Sequence, residues 1–207
     1  MPGMVGGFGN FFVPLLIGAV DMAKHWGIYK KYKGTNRRNI YMDNSIRFAS
    51  YITGLFEGDG HIWIPSDNLI KKHNSRFNIT FNLKDLPLAE MLLKEISTRS
   101  KINTGYIRKK VENNACVLTI SNIDSLKYIV NLMSPYLRTP KINQVNKLID
   151  WINKKQNRND KYLILCKNSL DADSWLAGFI DADGSFHIRY TTLSTGLKER
   201  IAMTFTL

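Results

Sequence analysis

ITGLFEGDG, at residues 52–60, and LAGFIDADG, at residues 176–184, are two copies of one pattern that stand 124 residues apart. Aligned without a gap, residues 51–83 and 175–207 share nine of 33 positions, where average residue usage gives about two by chance. Self-similarity at a fixed spacing marks a repeated structural unit. The chain is therefore predicted to contain one unit twice.

Small residues recur four positions apart in both copies: Gly54 and Gly58 in the first, Gly178 and Ala182 in the second. On a helix, residues four apart lie on one face, and small side chains there let two backbones approach closely. We therefore predict that two helices pack against each other through these four positions, which we call the helix seam.

Each copy closes with Asp-Gly, so that Asp59 and Asp183 fall at the C-terminal ends of the two predicted helices. The negative end of a helix dipole disfavours a carboxylate, and two carboxylates brought together raise each other's pKa. A bound Mg²⁺ would remove both penalties, polarise a phosphate and activate water. The alternative is that Asp-Gly is only a helix-ending turn. The duplication and the helical context favour the metal site.

The remaining periodicity of the first copy predicts an α+β fold in the order αββαββα. Asp43 or Asn44 is the predicted N-cap of the first helix, and Asn122 or Asp124 is the predicted N-cap of a later one that ends at Met133. The other elements are predicted as strands at 61–64, 76–84, 104–110 and 115–121, and as helices at 86–99 and 141–155.

The charge of the chain points to a polyanionic partner. The formal net charge is +12 and the pI about 9.7, which favours nucleic acid over an anionic lipid surface or a basic protein without such a partner. Only two cysteines are present, without a CxxC pair, which argues against a disulfide framework and a structural zinc site.

Polar and basic residues alternate with apolar ones along the predicted strands, so that one face is core and the other can meet DNA. The alternative is an ordinary solvated face. The predicted DNA-contacting residues are Arg76, Asn78, Thr80, Asn82, Lys84, Arg108, Lys110, Arg189, Arg200 and Thr204.

The paired motifs resemble those of the LAGLIDADG endonucleases, and LAGFIDADG differs from that name at one position. The resemblance covers residues 44–207 and implies a tandem αββαββα fold, a monomer at full length, and one active site at the seam. It implies that Asp59 and Asp183 hold Mg²⁺, that Asn82 orders active-site water, and that Lys141 lies near the scissile phosphate of double-stranded DNA. For Lys141, a solvated lysine at a helix start remains the alternative.

The first 23 residues resemble a segment of cytochrome c oxidase subunit one, which predicts an intron reading frame fused to its upstream exon, and a mitochondrial location. Membrane contact is expected only if residues 1–20 are retained. The predicted domains are the hydrophobic segment 1–23, a basic linker 24–42, repeat 1 at 43–155, a linker at 156–173, and repeat 2 at 174–207.

Three functions are compatible with this pattern: an endonuclease that promotes intron homing, an RNA maturase that assists splicing of its own intron, and an inactive fragment. The last arises because the second copy stops at Leu207, within the repeated unit, so that we expect a truncated piece of a chain of roughly 280 residues. Such a piece is expected to fold well over 44–155 and poorly after residue 190.

Overall fold

A computed structural model describes residues 43–70, 72–102, 105–192 and 199–206. The predicted segments 1–23 and 24–42 lie outside the described residues. Five α-helices are described: α1 (Asn44–Asp59), α2 (Leu86–Ser100), α3 (Ile123–Met133), α4 (Ile142–Gln156) and α5 (Trp175–Asp183). The strands are β1 (Gly60–Trp63), β2 (Arg76–Asn82), β3 (Gly105–Lys110), β4 (Ala115–Ile120), β5 (Ser185–Thr192) and β6 (Glu199–Thr206).

The predicted helix starts are confirmed by their caps. The Asp43 side chain accepts a hydrogen bond from the Ser45 N–H at 3.1 Å, and the Asn122 side chain accepts one from the Asp124 N–H at 2.9 Å. Each cap satisfies a backbone donor that has no partner within its helix. Of the two candidates given for each helix, Asp43 and Asn122 are the N-caps.

The first four strands form one antiparallel sheet in the order β1-β2-β4-β3. Its buried face packs Ile62, Phe77 and Leu118 into a single core with apolar side chains from α1 to α4. The order α1-β1-β2-α2-β3-β4-α3, followed by α4, confirms the predicted α+β class and element sequence. β5 and β6 pair antiparallel as a separate two-stranded sheet.

β4 ends one residue before its predicted bound, and β2 ends two residues before its own. β2 ends at Asn82, and Leu83–Asp85 forms a 3₁₀ turn instead of the expected extension to Lys84. The reason is local, because the Asn82 side chain accepts a hydrogen bond from the Lys84 N–H at 3.1 Å and turns the chain out of the sheet. The prediction that Lys84 belongs to the polar strand face is therefore wrong.

The segment between α4 and α5 is attached to repeat 1 by specific hydrogen bonds. Asn146 on α4 both accepts from the Leu163 N–H at 2.9 Å and donates to the Leu163 carbonyl at 3.3 Å. Near its end, Asp173 forms a buried ion pair with Arg138 at 2.7 Å. Asn146 and Arg138 both belong to repeat 1. These bonds therefore hold the segment against repeat 1 and fix the position at which α5 begins. None of the described helices is long and apolar enough to cross a membrane.

The predicted helix seam is observed between α1 and α5. A Cβ placed on Gly54 would overlap the Trp175 carbonyl oxygen and lie 2.7 Å from the Phe179 nitrogen. A Cβ on Gly178 would overlap the Tyr51 carbonyl oxygen and lie 2.9 Å from the Leu55 nitrogen. The obstructing atoms are backbone atoms that cannot rotate away, so both positions require glycine for lack of space.

Substitution of Gly54 by alanine tests the seam. In an exposed helix the change from glycine to alanine stabilises by about 0.4–1 kcal/mol, but here we expect a net loss of about 1–3 kcal/mol, because the new methyl group overpacks against backbone. Urea unfolding monitored by circular dichroism measures the change. Glu90→Ala, on the exposed side of α2, is the control and should change stability little. An unaltered midpoint for Gly54→Ala would contradict the seam.

Candidate active site at the helix seam

The seam brings together two acids that the sequence singled out. Asp59 is the last residue of α1 and Asp183 the last residue of α5, and a strand follows each within two residues. Between them, a Cβ on Gly58 would overlap that of Ala182 and lie 3.6 Å from the Asp183 Cβ. The four small seam positions therefore hold the two carboxylates at adjacent helix ends, on the side where the chain enters the sheets.

Asp59 has the electrostatic signature expected for such a pair. Partial burial raises the pKa of Asp59, the neighbouring Asp183 raises it further, and Lys141 opposes both effects. A raised carboxyl pKa means that the charged form is disfavoured unless a cation is near. The two acids thus form a place where positive charge is stabilised.

Lys141 reaches this place from the start of α4. Its ammonium donates hydrogen bonds to the carbonyl oxygens of Phe56 at 3.3 Å, Gly60 at 3.0 Å and Gly58. These oxygens surround the C-terminal end of α1, where a cation opposes the helix dipole. Burial lowers the pKa of Lys141, while Asp59, Asp183 and Glu57 raise it. Lys141 is therefore held against the end of α1 and is not a freely solvated lysine; its place near a scissile phosphate stays a prediction.

A second pair of acids, Glu57 and Asp181, accepts hydrogen bonds across the seam. The Tyr51 hydroxyl of α1 donates to Asp181 of α5 at 2.9 Å, and the Trp175 indole N–H of α5 donates to Glu57 of α1 at 2.6 Å. Residues 51 and 175 are equivalent in the repeat, as are 57 and 181. The two bonds therefore cross the seam in opposite directions and fix the register of the helices.

Glu57 and Asp181 each stand two residues before the acid that ends the motif, and this position predicts polar contacts near the seam without specifying the donors. The aromatic donors at 51 and 175 were not predicted. The available signal was that an aromatic with a polar hydrogen stands six residues before the acid in both copies, although spacing alone does not show that each donor serves the opposite helix.

The sheet has one polar face, as the alternation predicted. Asn78 on β2 stands beside Thr119 on β4, and the Thr119 hydroxyl donates to the Asn78 side chain at 2.9 Å. Val117 of β4 pairs with Arg108 of β3 on one side and with Thr80 of β2 on the other. Arg76, Thr80, Arg108 and Lys110 are exposed on this face.

Two residues of this face, Trp63 and Thr119, were missed as candidates. Arg76 places its guanidinium 5.2 Å from the centre of the Trp63 ring, while Thr119 is buried and holds Asn78 in place. The sequence Gly-His-Ile-Trp carried no signal for Trp63, because the alternating burial of β1 appears only in the structure.

The remaining predicted residues occupy less constrained places. Asn82 lies at the end of β2, where its side-chain oxygen caps the following turn. Arg189 and Thr204, on β5 and β6, are exposed. The side chain of Arg200 lies outside the described part of the structure.

The donor set fits a divalent cation of the hard type. Carboxylate oxygens are the ligands that Mg²⁺ and Ca²⁺ prefer, and these ions keep several waters or substrate oxygens. The described residues contain no group of three or more histidine, cysteine or acidic side chains arranged for a metal ion. Asp59 and Asp183 alone would leave most coordination positions of such an ion to water or to another ligand.

The fold and site define a class: paired helices with acids at their joined ends, each running into a sheet with a polar face. Residues 52–153 match the family model described as LAGLIDADG endonuclease. Residues 52–153 thus form a LAGLIDADG endonuclease domain, as the resemblance of the motifs indicated.

Individual relatives are consistent with this family. The chain is 29% identical over 210 residues to the intron-encoded DNA endonuclease aI3 of Saccharomyces cerevisiae, covering 91% of this chain and 45% of the relative. It is 28% identical over 154 residues to the intron-encoded RNA maturase bI4 of the same organism, covering 74% of this chain and 21% of the relative. The chain thus spans less than half the length of these relatives.

A solved structure with a similar fold is that of the LAGLIDADG meganuclease I-AabMI bound to uncleaved DNA. The identity is 20% and the TM-score 0.49, covering 76% of this chain and 65% of the other.

The acid at position 181 generates a prediction about pH. Burial raises the pKa of Asp181 to about 6, against the lowering effect of the hydrogen bond from Tyr51. The folded chain then binds this proton more tightly than the unfolded chain. The contribution of Asp181 to the free energy of unfolding therefore falls as pH rises from about 4 to about 6 and stays constant above. Asp181→Asn keeps an acceptor for Tyr51 and removes the titration.

We therefore expect Asp181→Asn to exceed the original chain in unfolding free energy at pH 7.5 by about 1 kcal/mol, after allowance for the part of the carboxyl that solvent reaches. The advantage should disappear near pH 4. Urea unfolding at both pH values measures it, with the exposed Asp67→Asn as control. A pH-independent difference would contradict the assignment to Asp181.

Proposed function

We propose that the protein to which this chain belongs is a site-specific double-strand DNA endonuclease, encoded within an intron and promoting intron homing. The observation that carries the proposal is the meeting of Asp59, Asp183 and Lys141 at the joined helix ends. Two acids and a cation at one point, beside a basic sheet face, suit hydrolysis of a phosphodiester. The DNA endonuclease aI3, to which the chain is 29% identical, supports the same activity.

Each group has a chemical task in this proposal. Asp59 and Asp183 would hold Mg²⁺, which supplies a more acidic bound water and polarises the phosphate. Lys141 would place its positive charge near the phosphate, where negative charge develops as the bond to the leaving oxygen breaks. Asn82, at the end of β2, would orient water at the edge of the site. The raised pKa of Asp59 implies that protons compete with the metal as pH falls.

The DNA would lie across the polar sheet face. Arg76, Arg108 and Lys110 are exposed there and can contact phosphates or guanine edges, while Asn78 and Thr80 offer hydrogen bonds to other bases. Arg189, Arg200 and Thr204 would serve the second half-site. The full-length protein would act as a monomer, because one chain supplies both helices of the seam.

The proposed location is the mitochondrion, and the support is the resemblance of residues 1–23 to cytochrome c oxidase subunit one. An in-frame fusion to an exon of that gene would place the reading frame in a mitochondrial genome. Contact with a membrane would follow only if residues 1–20 remain on the mature protein.

A cleavage assay tests the endonuclease. With Mg²⁺ and a plasmid that carries the joined exon sequence, we expect specific double-strand cutting that falls by about 100-fold or more in the Asp59→Asn, Asp183→Asn double variant. The matched control is Asp67→Asn with Asp124→Asn, two exposed carboxylates that give the same change in charge. Cutting that survives in the double variant would refute the metal acids, and DNA binding without any cutting would refute the nuclease.

A second candidate function is that of an RNA maturase, which the similarity to the maturase bI4 favours. Binding of folded intron RNA needs the basic surface but not the metal acids. We therefore expect a maturase to accelerate splicing of its precursor RNA equally in the original chain and in the Asp59→Asn, Asp183→Asn variant. Splicing rates with purified precursor measure this. A rate that the protein leaves unchanged would exclude the maturase.

A further inference from the structure

Glu57 is an acid that the proposed reaction does not use, and it has the most hydrogen-bond donors of the acids described above. Only 3% of its surface is exposed. Its carboxylate accepts from the Arg138 N–H at 3.0 Å, from the Thr139 N–H and hydroxyl, each at 2.7 Å, and from the Trp175 indole at 2.6 Å. Four donors from two other segments therefore converge on one buried carboxylate.

The bonds to Arg138 and Thr139 fix the loop that leads into α4. A buried charge is tolerated only with such partners, and charge-assisted hydrogen bonds are stronger than neutral ones. The Thr139 hydroxyl also accepts from the Lys141 N–H at 3.3 Å. A continuous chain of hydrogen bonds thus runs from Glu57 through Thr139 to the backbone of Lys141.

Lys141 then returns to the helix that carries Glu57. Its ammonium binds the carbonyl oxygens of Phe56, Gly58 and Gly60, which flank Glu57 and Asp59 in sequence. The loop is therefore held at two points of α1, by the carboxylate of Glu57 at one end and by the ammonium of Lys141 at the other. Pro140 lies between these points and limits the backbone further.

Trp175 extends the arrangement to the other helix of the seam. Its indole N–H is held by Glu57, and the Arg138 guanidinium lies 5.3 Å from the centre of its ring. Arg138 also pairs with Asp173, two residues before Trp175. One carboxylate on α1 thus fixes the Lys141 loop and the start of α5 together.

We propose that Glu57 is a positioning residue that sets the Lys141 ammonium at the C-terminal end of α1 while it fixes α5 through Trp175. The consequence for catalysis rests on the endonuclease function proposed above, whereas the positioning itself does not. Loss of the carboxylate displaces the Lys141 loop and slows phosphodiester cleavage, but leaves the sheet that binds DNA unchanged.

The equivalent acid of the second copy provides the comparison. Asp181 accepts a hydrogen bond from Tyr51, and no bond between it and a loop backbone is found among the described residues. Glu57→Gln and Asp181→Asn are therefore isosteric changes at equivalent positions, of which only the first leaves backbone donors without acceptors. An amide at 57 offers one oxygen in place of two and presents its NH₂ to donors.

Two measurements on the full chain test the proposal. Hydrogen–deuterium exchange of the Arg138 and Thr139 amides should accelerate by about tenfold in Glu57→Gln, while the amides of β2 and β4 keep their rates. The single-turnover cleavage rate with Mg²⁺ should fall by about tenfold or more, whereas the Kd for DNA in Ca²⁺ stays within about threefold of the original value. Asp181→Asn should leave the exchange at 138 and 139 unchanged.

Thr139→Val serves as the milder second variant, because it keeps the shape of the side chain. It removes one of the donors to Glu57 and the acceptor of the Lys141 N–H. It should accelerate exchange at Lys141 and slow cleavage by a smaller factor than Glu57→Gln. Unchanged exchange at 138 and 139 in Glu57→Gln would overturn the proposal, as would a loss of DNA affinity as large as the loss of rate. If the original chain does not cut DNA, the endonuclease proposal fails, and the exchange result alone still decides the role of Glu57.

Discussion

The close approach of α1 and α5 is the constraint on which the other features of this protein depend. It requires glycine at 54 and 178, where any side chain would meet backbone of the opposite helix. Because the helices touch along this face, their C-terminal ends meet, and the acids that end them become one site. The crossed bonds from Tyr51 to Asp181 and from Trp175 to Glu57 prevent the helices from sliding along each other. Packing therefore creates the site, and hydrogen bonds set its register.

This arrangement concentrates negative charge. Two helix C-termini and two carboxylates meet in one place, and the pKa of Asp59 is raised there by partial burial and, in addition, by Asp183. The protein offsets part of the charge itself, since Lys141 binds the carbonyl oxygens of Phe56, Gly58 and Gly60 around the end of α1 and not the carboxylates. The helix end is thereby neutralised, while Asp59 and Asp183 stay open to solvent. An ammonium paired directly with Asp59 would compete with a metal ion for the same oxygens, whereas the observed placement leaves those oxygens free of the lysine.

Much of the fold was predictable because its determinants are local. The repeat, the caps Asp43 and Asn122, and the alternation along β2 are each readable within a few residues, and the seam glycines follow from helical spacing. The end of β2 was missed because a single side chain, Asn82, diverts the strand into a turn. The role of Glu57 was predictable only in outline. Residues 57 and 59 lie about 200° apart around a helix, so that one must point inward, but spacing does not reveal donors that lie some 80 and 118 positions away.

The two copies are similar where their backbones meet and differ in the side chains that form hydrogen bonds across the seam. Gly54 and Gly178 are identical because each touches the other helix, and Asp59 and Asp183 are identical because each ends a helix at the same point. The acids that accept these bonds differ, with glutamate at 57 and aspartate at 181, and so do their donors, tryptophan and tyrosine. The longer glutamate reaches both the opposite indole and the 138–139 loop, whereas Asp181 is joined to the opposite phenol. Two-fold symmetry is thus kept at the seam, and the position of Lys141 depends on an acid that is not identical in the two halves.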